Sequence, residues 1–146
     1  MTNGKDCVFC EILAGRSEVS LIYRDELCAA FMDTQPVNPG HLLVVPNLHA
    51  ACLADLKEEE GARMFRLARG LTAALRQSGI RCEGVNIFLA DGEAAMQEVF
   101  HVHLHLIPRF HGDGFGLKFP SGYSQKPERR ELNEAAEKIR NALAVR

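Results

Sequence analysis

Apolar residues recur at two spacings along the chain, and these spacings predict both strands and helices. Short apolar runs bounded by polar or turn-forming residues predict strands at Leu21–Tyr23, Cys28–Met32, His41–Val45, Gly84–Leu89 and Val99–Ile107. The loop Thr34–Gly40 contains two prolines, an asparagine and a glycine, which interrupt regular structure before the third strand. Strands that follow one another closely favour antiparallel pairing in one sheet.

A longer stretch, from about Leu56 to Ser78, has the spacing of an amphipathic helix. Its apolar residues fall on one stripe, which consists of Leu56, Met64, Leu67, Leu71 and Leu75. Asp55 is predicted to cap the start of this helix, because Glu58 follows three residues later in the pattern of a capping box. Gly79 is predicted to end it, since glycine readily adopts the left-handed conformation found after helices.

A second helix is predicted from Pro127 towards the end of the chain, after a glycine-rich loop over residues 109–126. These elements together predict an α+β fold: an antiparallel sheet with one long central helix and a C-terminal helix. A length of 146 residues suits one domain, and the chain contains no internal repeat or linker. A single domain over residues 1–146 is therefore expected.

Composition and charge narrow the classes of partner. Apolar residues make up 47% and charged residues 25% of the chain, which is typical of a globular protein. The net charge of −2 gives no basic footprint, so no nucleic-acid partner is expected. The longest aliphatic run, Leu42–Val45, is far shorter than the roughly 20 residues of a membrane helix. Residues 1–6 lack the apolar core of a secretory signal, so we expect a cytoplasmic protein without a membrane partner.

Three histidines alternate with apolar residues near the end of the last predicted strand. Because alternate side chains of a strand share a face, His101, His103 and His105 are predicted to lie in line, roughly 6.6 Å apart. The residues predicted to face the core instead are Val102, Leu104 and Leu106. Three imidazoles on one face suit either metal ligation or nucleophilic and acid–base catalysis. Their spacing alone does not distinguish between these two chemistries.

A C-x-x-C pair, Cys7 and Cys10, lies near the start of the chain. Two thiolates at this spacing provide half of a tetrahedral zinc site, and His49 and His101 are the candidates to complete it. Free thiols or a redox-active pair are the alternatives for the same motif.

The segment FHVHLHLIPR, residues 100–109, resembles the signature of the histidine triad family of nucleotide hydrolases and transferases. Further segments follow the order and spacing of that family: CVFCEILAG, AFMDTQPVNPGHLLVVPNLH, DGEAAMQEVF and RFHGDGFG. The chain is most similar to the bacterial members that carry an additional structural zinc. The resemblance implies the fold of that family and a homodimer.

It also implies the catalytic roles. His103 corresponds to the nucleophile, which attacks the α-phosphorus of a purine nucleotide and forms a nucleotidyl-histidine intermediate that water then opens. His105 and His41 correspond to residues that support and orient the triad. Gln97 corresponds to a glutamine whose side chain faces the phosphate.

Binding residues follow from the same resemblance. The base pocket of relatives is lined at positions that match Val8, Phe9, Ile12 and Phe31. Asp33 corresponds to the acid that holds the ribose hydroxyls. In the zinc-bearing members, the ligands of the structural zinc match Cys7, Cys10, His49 and His101.

Three positions depart from the common pattern of the family. Ala90 replaces an amide side chain, Met96 replaces a glycine, and Glu98 replaces a small hydroxyl residue that contacts phosphate in many relatives. These changes alter the shape and charge expected around the phosphate and leave the preferred leaving group open. Two alternative functions therefore stand beside the enzyme: a nucleotide-binding regulatory module with weak turnover, and a zinc-dependent hydrolase whose triad binds the metal.

Overall fold

A computed structural model describes residues 6–144 of the chain. Within that range the elements are α1 (Val8–Leu13), β1 (Leu21–Arg24), β2 (Cys28–Met32), β3 (Leu42–Pro46), α2 (Glu58–Gln77), β4 (Gly84–Phe88), β5 (Leu104–Arg109) and α3 (Arg129–Leu143). The strands form one sheet in the order β1-β2-β3-β5-β4, and every neighbouring pair is antiparallel. The structure confirms the predicted α+β fold, with its long central helix and C-terminal helix.

Both faces of the central strands are covered, because their alternate side chains enter two separate apolar clusters. On one face, Ala30 and Val44 pack with the apolar stripe of α2. On the other face, Phe31 and Val45 pack with Phe9 of α1. This explains why β2 and β3 are apolar without alternation: a strand buried on both faces has no polar side.

The long helix begins later than the sequence predicted, and its predicted N-cap is wrong. Lys57 is the N-cap, and its backbone N–H donates to the Glu60 carboxylate at 3.2 Å. Asp55 instead accepts hydrogen bonds from the backbone N–H and the thiol of Cys52, in a short 3₁₀ turn that precedes α2. The predicted end is confirmed, since Gly79 follows the helix with φ at +84°.

The last strand begins at Leu104, so the prediction of a strand from Val99 is wrong. β3 pairs with β5 only as far as Val44 opposite Leu104, which leaves the preceding residues without a neighbouring strand. Those residues bond elsewhere: the Val102 N–H donates to the Ala50 carbonyl at 2.8 Å. Of the three triad histidines, only His105 therefore lies in the strand.

Helix α1 was not predicted, although it carries residues of both candidate sites. Its apolar pattern is too short to indicate a helix, because only two of its residues, Phe9 and Leu13, are buried, one turn apart. Its N-cap, Cys7, makes no side-chain capping bond, so a start signal of the usual kind is absent there.

The described residues divide into two compact units, the first ending at Gly114 and the second beginning at Phe115. The sheet, α1 and α2 lie in the first unit, and α3 lies in the second. None of the helices described over residues 6–144 is long and apolar enough to cross a membrane.

Candidate active site and metal centre

Four side chains that are distant in sequence come together beside α1. Cys7, Cys10, His49 and His101 each direct one sulfur or nitrogen into a cluster whose atoms all lie within 4.8 Å of one another. The Cys7 sulfur lies 3.4 Å from Nδ1 of His101, and the Cys10 sulfur lies 3.4 Å from Nδ1 of His49. This is a Cys₂His₂ donor set, which suits a divalent metal such as zinc.

The orientation of His101 supports metal ligation. Its Nε2 lies 2.9 Å from the Pro46 carbonyl, which only accepts hydrogen bonds, so Nε2 carries the proton. Burial lowers the pKa of His101 to about 4, which keeps the ring neutral. The lone pair is therefore on Nδ1, the nitrogen that faces the two sulfurs. A backbone carbonyl commonly orients a metal-binding histidine in this way.

The environment of Cys10 disfavours its thiolate in the absence of a cation. Burial, followed by the hydrogen bond and charge of Cys7, raises the pKa of Cys10 to about 11. A metal ion bound between them would reverse this effect, because a coordinating thiol is deprotonated by the positive charge of the metal. The residues present thus fit a zinc ion by identity and by number, and His101 also fits by its tautomer.

Phe9 lies between this cluster and the next histidine of the triad. Its ring centroid is 5.8 Å from that of His101 and 5.2 Å from that of His103, edge-on to both. The same ring packs edge-on to Phe31 at 5.6 Å. Both phenylalanines are buried, while Val8 on the same helix is 48% exposed.

The hydrogen bonding of His103 leaves the lone pair of its ring on Nε2. Its Nδ1 lies 2.7 Å from the His101 carbonyl and must donate to it. Burial lowers the pKa of His103 below its ordinary value, despite the opposing effects of this carbonyl and of Asp33. The ring is therefore neutral near pH 7, and its Nε2 is unprotonated. An unprotonated imidazole nitrogen can attack phosphorus without first losing a proton.

The neighbouring pair, His41 and His105, is also held in one tautomer. The Val37 N–H lies 3.1 Å from Nδ1 of His41, so that nitrogen accepts and the proton is on Nε2. Nε2 of His41 lies 2.9 Å from Nδ1 of His105 and donates to it, which leaves the His105 proton on Nε2. Burial lowers the pKa of both rings, that of His105 to about 4, so both are neutral.

Asp33 completes this group. Its Oδ1 accepts the Gln35 N–H at 2.8 Å, and its Oδ2 lies 3.5 Å from Nε2 of His41 and 3.9 Å from Nδ1 of His105. These three ligand atoms are close enough to surround a metal ion. The Val37 N–H opposes that use, because it places the His41 proton on the nitrogen that a metal would need. Hydrogen bonding is thus the better account of this cluster.

Comparison with known proteins identifies the family. A family model described as the HIT domain matches residues 14–112, about two thirds of the chain. The chain belongs to the HIT family. An uncharacterized HIT-like protein from Borreliella burgdorferi is 39% identical over 114 residues, which cover 77% of this chain and 82% of the relative.

Solved HIT structures share the fold across nearly the whole chain. A HIT family protein from Bacillus anthracis superposes with a TM-score of 0.86 at 33% identity, covering 96% of this chain and 99% of the other. A Zn-bound histidine triad family protein from Mycobacterium smegmatis superposes with a TM-score of 0.74 at 35% identity, covering 96% and 99%.

One similar HIT protein has a named activity. The adenylylsulfatase HINT3 of Arabidopsis thaliana is 35% identical over 104 residues, which cover 71% of this chain and 52% of the plant protein. Membership of the family supports a nucleotide hydrolase or transferase at the level of the class.

The Gln97 side chain bonds to backbone groups around the loop that precedes the triad. In this HIT protein its amide NH₂ donates to the Ala51 carbonyl at 2.8 Å and the Val99 carbonyl at 3.2 Å, and its oxygen accepts the Gly92 N–H at 2.8 Å. The side chain is 4% exposed. It therefore shapes the loop before the triad, and contact with a phosphate stays a prediction. Met96, next to it, has a left-handed backbone (φ +65°), which glycine adopts more readily than a residue with a side chain.

Two contributors to the HIT site were missed by sequence reasoning. One is the Val37 amide, because the direction of a backbone N–H inside a Pro-rich loop leaves no trace in the residue pattern. The other is the side chain of Asn38, which is 6% exposed and bonds to Pro108 and Asp113. An asparagine in a loop usually faces solvent, so the role of Asn38 becomes visible only once its burial is known.

Proposed function

We propose that this HIT protein hydrolyses or transfers a nucleotide at its α-phosphate, through a covalent intermediate on His103. The observation that carries the proposal is the 2.7 Å bond from Nδ1 of His103 to the His101 carbonyl. That bond leaves a lone pair on Nε2 of a buried neutral imidazole, as a nucleophile towards phosphorus requires. The named activity of the Arabidopsis relative is compatible with this class of reaction.

The proposed reaction has two steps. The Nε2 lone pair of His103 forms a bond to the α-phosphorus, and the bond from phosphorus to the leaving group breaks, so that the leaving group departs with the electron pair. Water then attacks the same phosphorus, the electron pair of the phosphorus–nitrogen bond returns to Nε2 of His103, and the proton that the water loses passes to the leaving group through solvent. In each step negative charge develops on the phosphoryl oxygens.

His105 is a donor close to that charge. Its ring centroid lies 4.8 Å from that of His103, and its proton is on Nε2. A neutral donor aligned beforehand stabilises developing charge without reorganising during the reaction. The role we propose for His41 is to keep this proton in place through the bond to Nδ1 of His105.

The nucleoside is proposed to bind beside the triad. Asp33 is close to His41 and His105, and its carboxylate can accept hydrogen bonds from two vicinal ribose hydroxyls. Phe9 contacts both Phe31 and His103, so it supplies an apolar wall for a purine next to the nucleophile. Val8 and Ile12 lie on the same helix as Phe9 and complete the proposed pocket.

The metal site is proposed to be structural. Four protein ligands fill the tetrahedral coordination of zinc and leave no position for a reactive water. Bound zinc would contribute folding free energy by linking α1 to His49 and His101. Phe9 separates this centre from His103, so the chemistry at phosphorus is assigned to imidazole alone.

A homodimer is proposed from the exposed edge of the sheet. β4 is the last strand of the sheet, and its Ile87 and Phe88 side chains are 42% and 37% exposed. Two copies joined along β4 would cover these two apolar side chains and pair the free strand edges.

Substitution of the nucleophile tests the enzymatic proposal. His103→Ala is expected to fold and bind nucleotide but to lose at least about three orders of magnitude in turnover, roughly 4 kcal/mol of barrier. His111→Ala is the matched control, because His111 is solvent-exposed and pairs with Glu83. An α-phosphate-labelled substrate should leave an acid-labile label on unaltered protein in a rapid quench.

Two results would contradict the mechanism. One is a His103→Ala variant that keeps more than a tenth of the activity, and the other is a label on a different residue. A protein that binds nucleotide but never becomes labelled would instead be the regulatory binding module.

A further inference from the structure

The positions of the protons on His41 and His105 follow from one backbone amide, the Val37 N–H, which donates to Nδ1 of His41. We propose that Asn38, Asp113 and Arg109 are positioning residues that hold the Val37 amide on His41 and thereby fix the tautomer of both histidines. The importance of these tautomers for turnover rests on the proposed function, but the tautomers themselves can be observed without any reaction.

Asn38 fixes the loop to the strand that carries His105. Its side-chain NH₂ donates both protons, to the Pro108 carbonyl at 2.8 Å and to Oδ2 of Asp113 at 2.9 Å. Its backbone carbonyl accepts the His41 N–H at 3.0 Å. The end of the Val37–His41 turn is thus bonded to a buried asparagine, 6% exposed, and the start of the turn is the residue that precedes that asparagine.

Asp113 is held in turn by Arg109. The two side chains form a bidentate salt bridge. Nε of Arg109 donates to Oδ2 of Asp113 at 2.6 Å, and Nη2 donates to Oδ1 at 2.8 Å. The Asp113 side chain is 3% exposed, and the Phe110 N–H also donates to it at 3.3 Å. A two-point arginine–carboxylate pair fixes orientation as well as distance.

These contacts close a ring through the site. Arg109 and His105 belong to the same strand, β5, and His105 is bonded to His41. His41 is bonded to Val37, and the next residue, Asn38, returns to β5 at Pro108 and to Arg109 through Asp113. Because this closed set of contacts starts and finishes on β5, we infer that it holds the Val37 amide against His41.

This closed set of hydrogen bonds matters because the opposite tautomers of His41 and His105 would turn Nε2 of His105 from a donor into an acceptor. Without the Val37 N–H, Nδ1 of His41 could carry the proton, and its Nε2 would then accept from Nδ1 of His105. Nε2 of His105 would present a lone pair to an anionic phosphate in place of a proton. Loss of one aligned donor of this kind typically lowers kcat by about 100- to 1,000-fold.

The experiment reads the tautomers directly. The full-length protein, purified with its bound metal, is labelled with ¹⁵N-histidine, and two-bond ¹H–¹⁵N spectra are recorded at pH 7.5. In the unaltered protein, Nδ1 of both His41 and His105 should be unprotonated and Nε2 protonated. In Asn38→Ala both rings should shift together towards the Nδ1-protonated form, and kcat should fall about 10-fold or more while KM changes little.

Arg63→Ala is the matched control. Arg63 forms a similar ion pair with Asp25, at 2.6 Å from Nε to Oδ2, and lies outside the ring. It should lower stability without moving the histidine spectra. Asp113→Asn, which keeps the shape of the side chain, replaces Asn38→Ala if that variant does not fold.

Each outcome bears on the proposal. Protonated Nδ1 on His41 in the unaltered protein would overturn it, and so would spectra that do not change in folded Asn38→Ala or Asp113→Asn. Spectra that change as expected in a protein without turnover would support the positioning role and count against the proposed function instead.

Discussion

Any side chain at Gly40 should destabilise the protein, and the structure allows the free-energy cost of an alanine there to be worked out. Its φ is +91°, a backbone conformation that costs an L-residue about 1–2 kcal/mol. A Cβ there would lie 3.0 and 3.1 Å from two methyl carbons of Ile80 and 3.2 Å from Cγ of Pro108. Overpacking of this kind costs about 1–3 kcal/mol.

The net effect of Gly40→Ala is smaller than the sum of these costs. Alanine restricts the unfolded chain and so returns about 0.4–1 kcal/mol. We therefore expect the free energy of unfolding to fall by about 1–4.5 kcal/mol. For a chain of 146 residues, this corresponds to a decrease in Tm of about 3–14 °C. Thermal and urea unfolding at one fixed protein concentration measure it, because the Tm of an oligomer depends on concentration.

Gly70→Ala provides a control with the opposite sign. Gly70 lies within α2, where an added Cβ meets nothing within 4 Å, so alanine should stabilise the protein by about 0.5–1 kcal/mol. In an Ile80→Ala background, Gly40→Ala should lose most of its overpacking cost and keep about 1–2 kcal/mol of backbone strain. A Gly40→Ala protein within 0.5 kcal/mol of the unaltered protein would refute this reasoning.

The remaining predictions concern metal, ribose and assembly. Cys10→Ser should lose the roughly one equivalent of zinc expected per chain and much stability, measured by metal analysis and thermal unfolding, and metal-free unaltered protein of equal stability would exclude a structural zinc. Asp33→Ala should weaken binding of ribonucleoside monophosphates by roughly 10- to 150-fold in calorimetric titrations, and equal affinity for ribo- and deoxyribonucleotides would remove Asp33 from the site. Sedimentation at micromolar concentration should give about twice the chain mass of 16.2 kDa, whereas a monomer would contradict the dimer.

Much of the fold was accessible from hydrophobic pattern alone. Strands and the long helix were predicted because their apolar residues repeat regularly over at least one full face, as in the stripe from Leu56 to Leu75. The pattern failed at Val99, where alternation continues through residues that have no neighbouring strand to pair with. It also failed at α1, which is too short for a helical repeat to stand out.

The sequence could name the candidate residues of the site, but it could not show which nitrogen of each histidine carries the proton. The motifs identify Cys7, His41 and His103 as candidates because thiol and imidazole side chains bind metals and react with phosphorus. Which nitrogen of each ring carries hydrogen depends on backbone groups such as the Val37 amide and the His101 carbonyl. Those groups are present at every residue, so their direction can be found only from the folded chain.

The strand order β3-β5-β4 has a consequence for how the protein folds. His41 and His105 meet across 64 positions of sequence, and the Cys7 sulfur meets the His101 ring across 94. Such contacts form late, because the entropy of closing a long loop must be overcome before they stabilise anything. A ribosome would have to release more than 100 residues before either centre could assemble, so a partly synthesised chain should hold neither a closed triad nor a complete set of metal ligands.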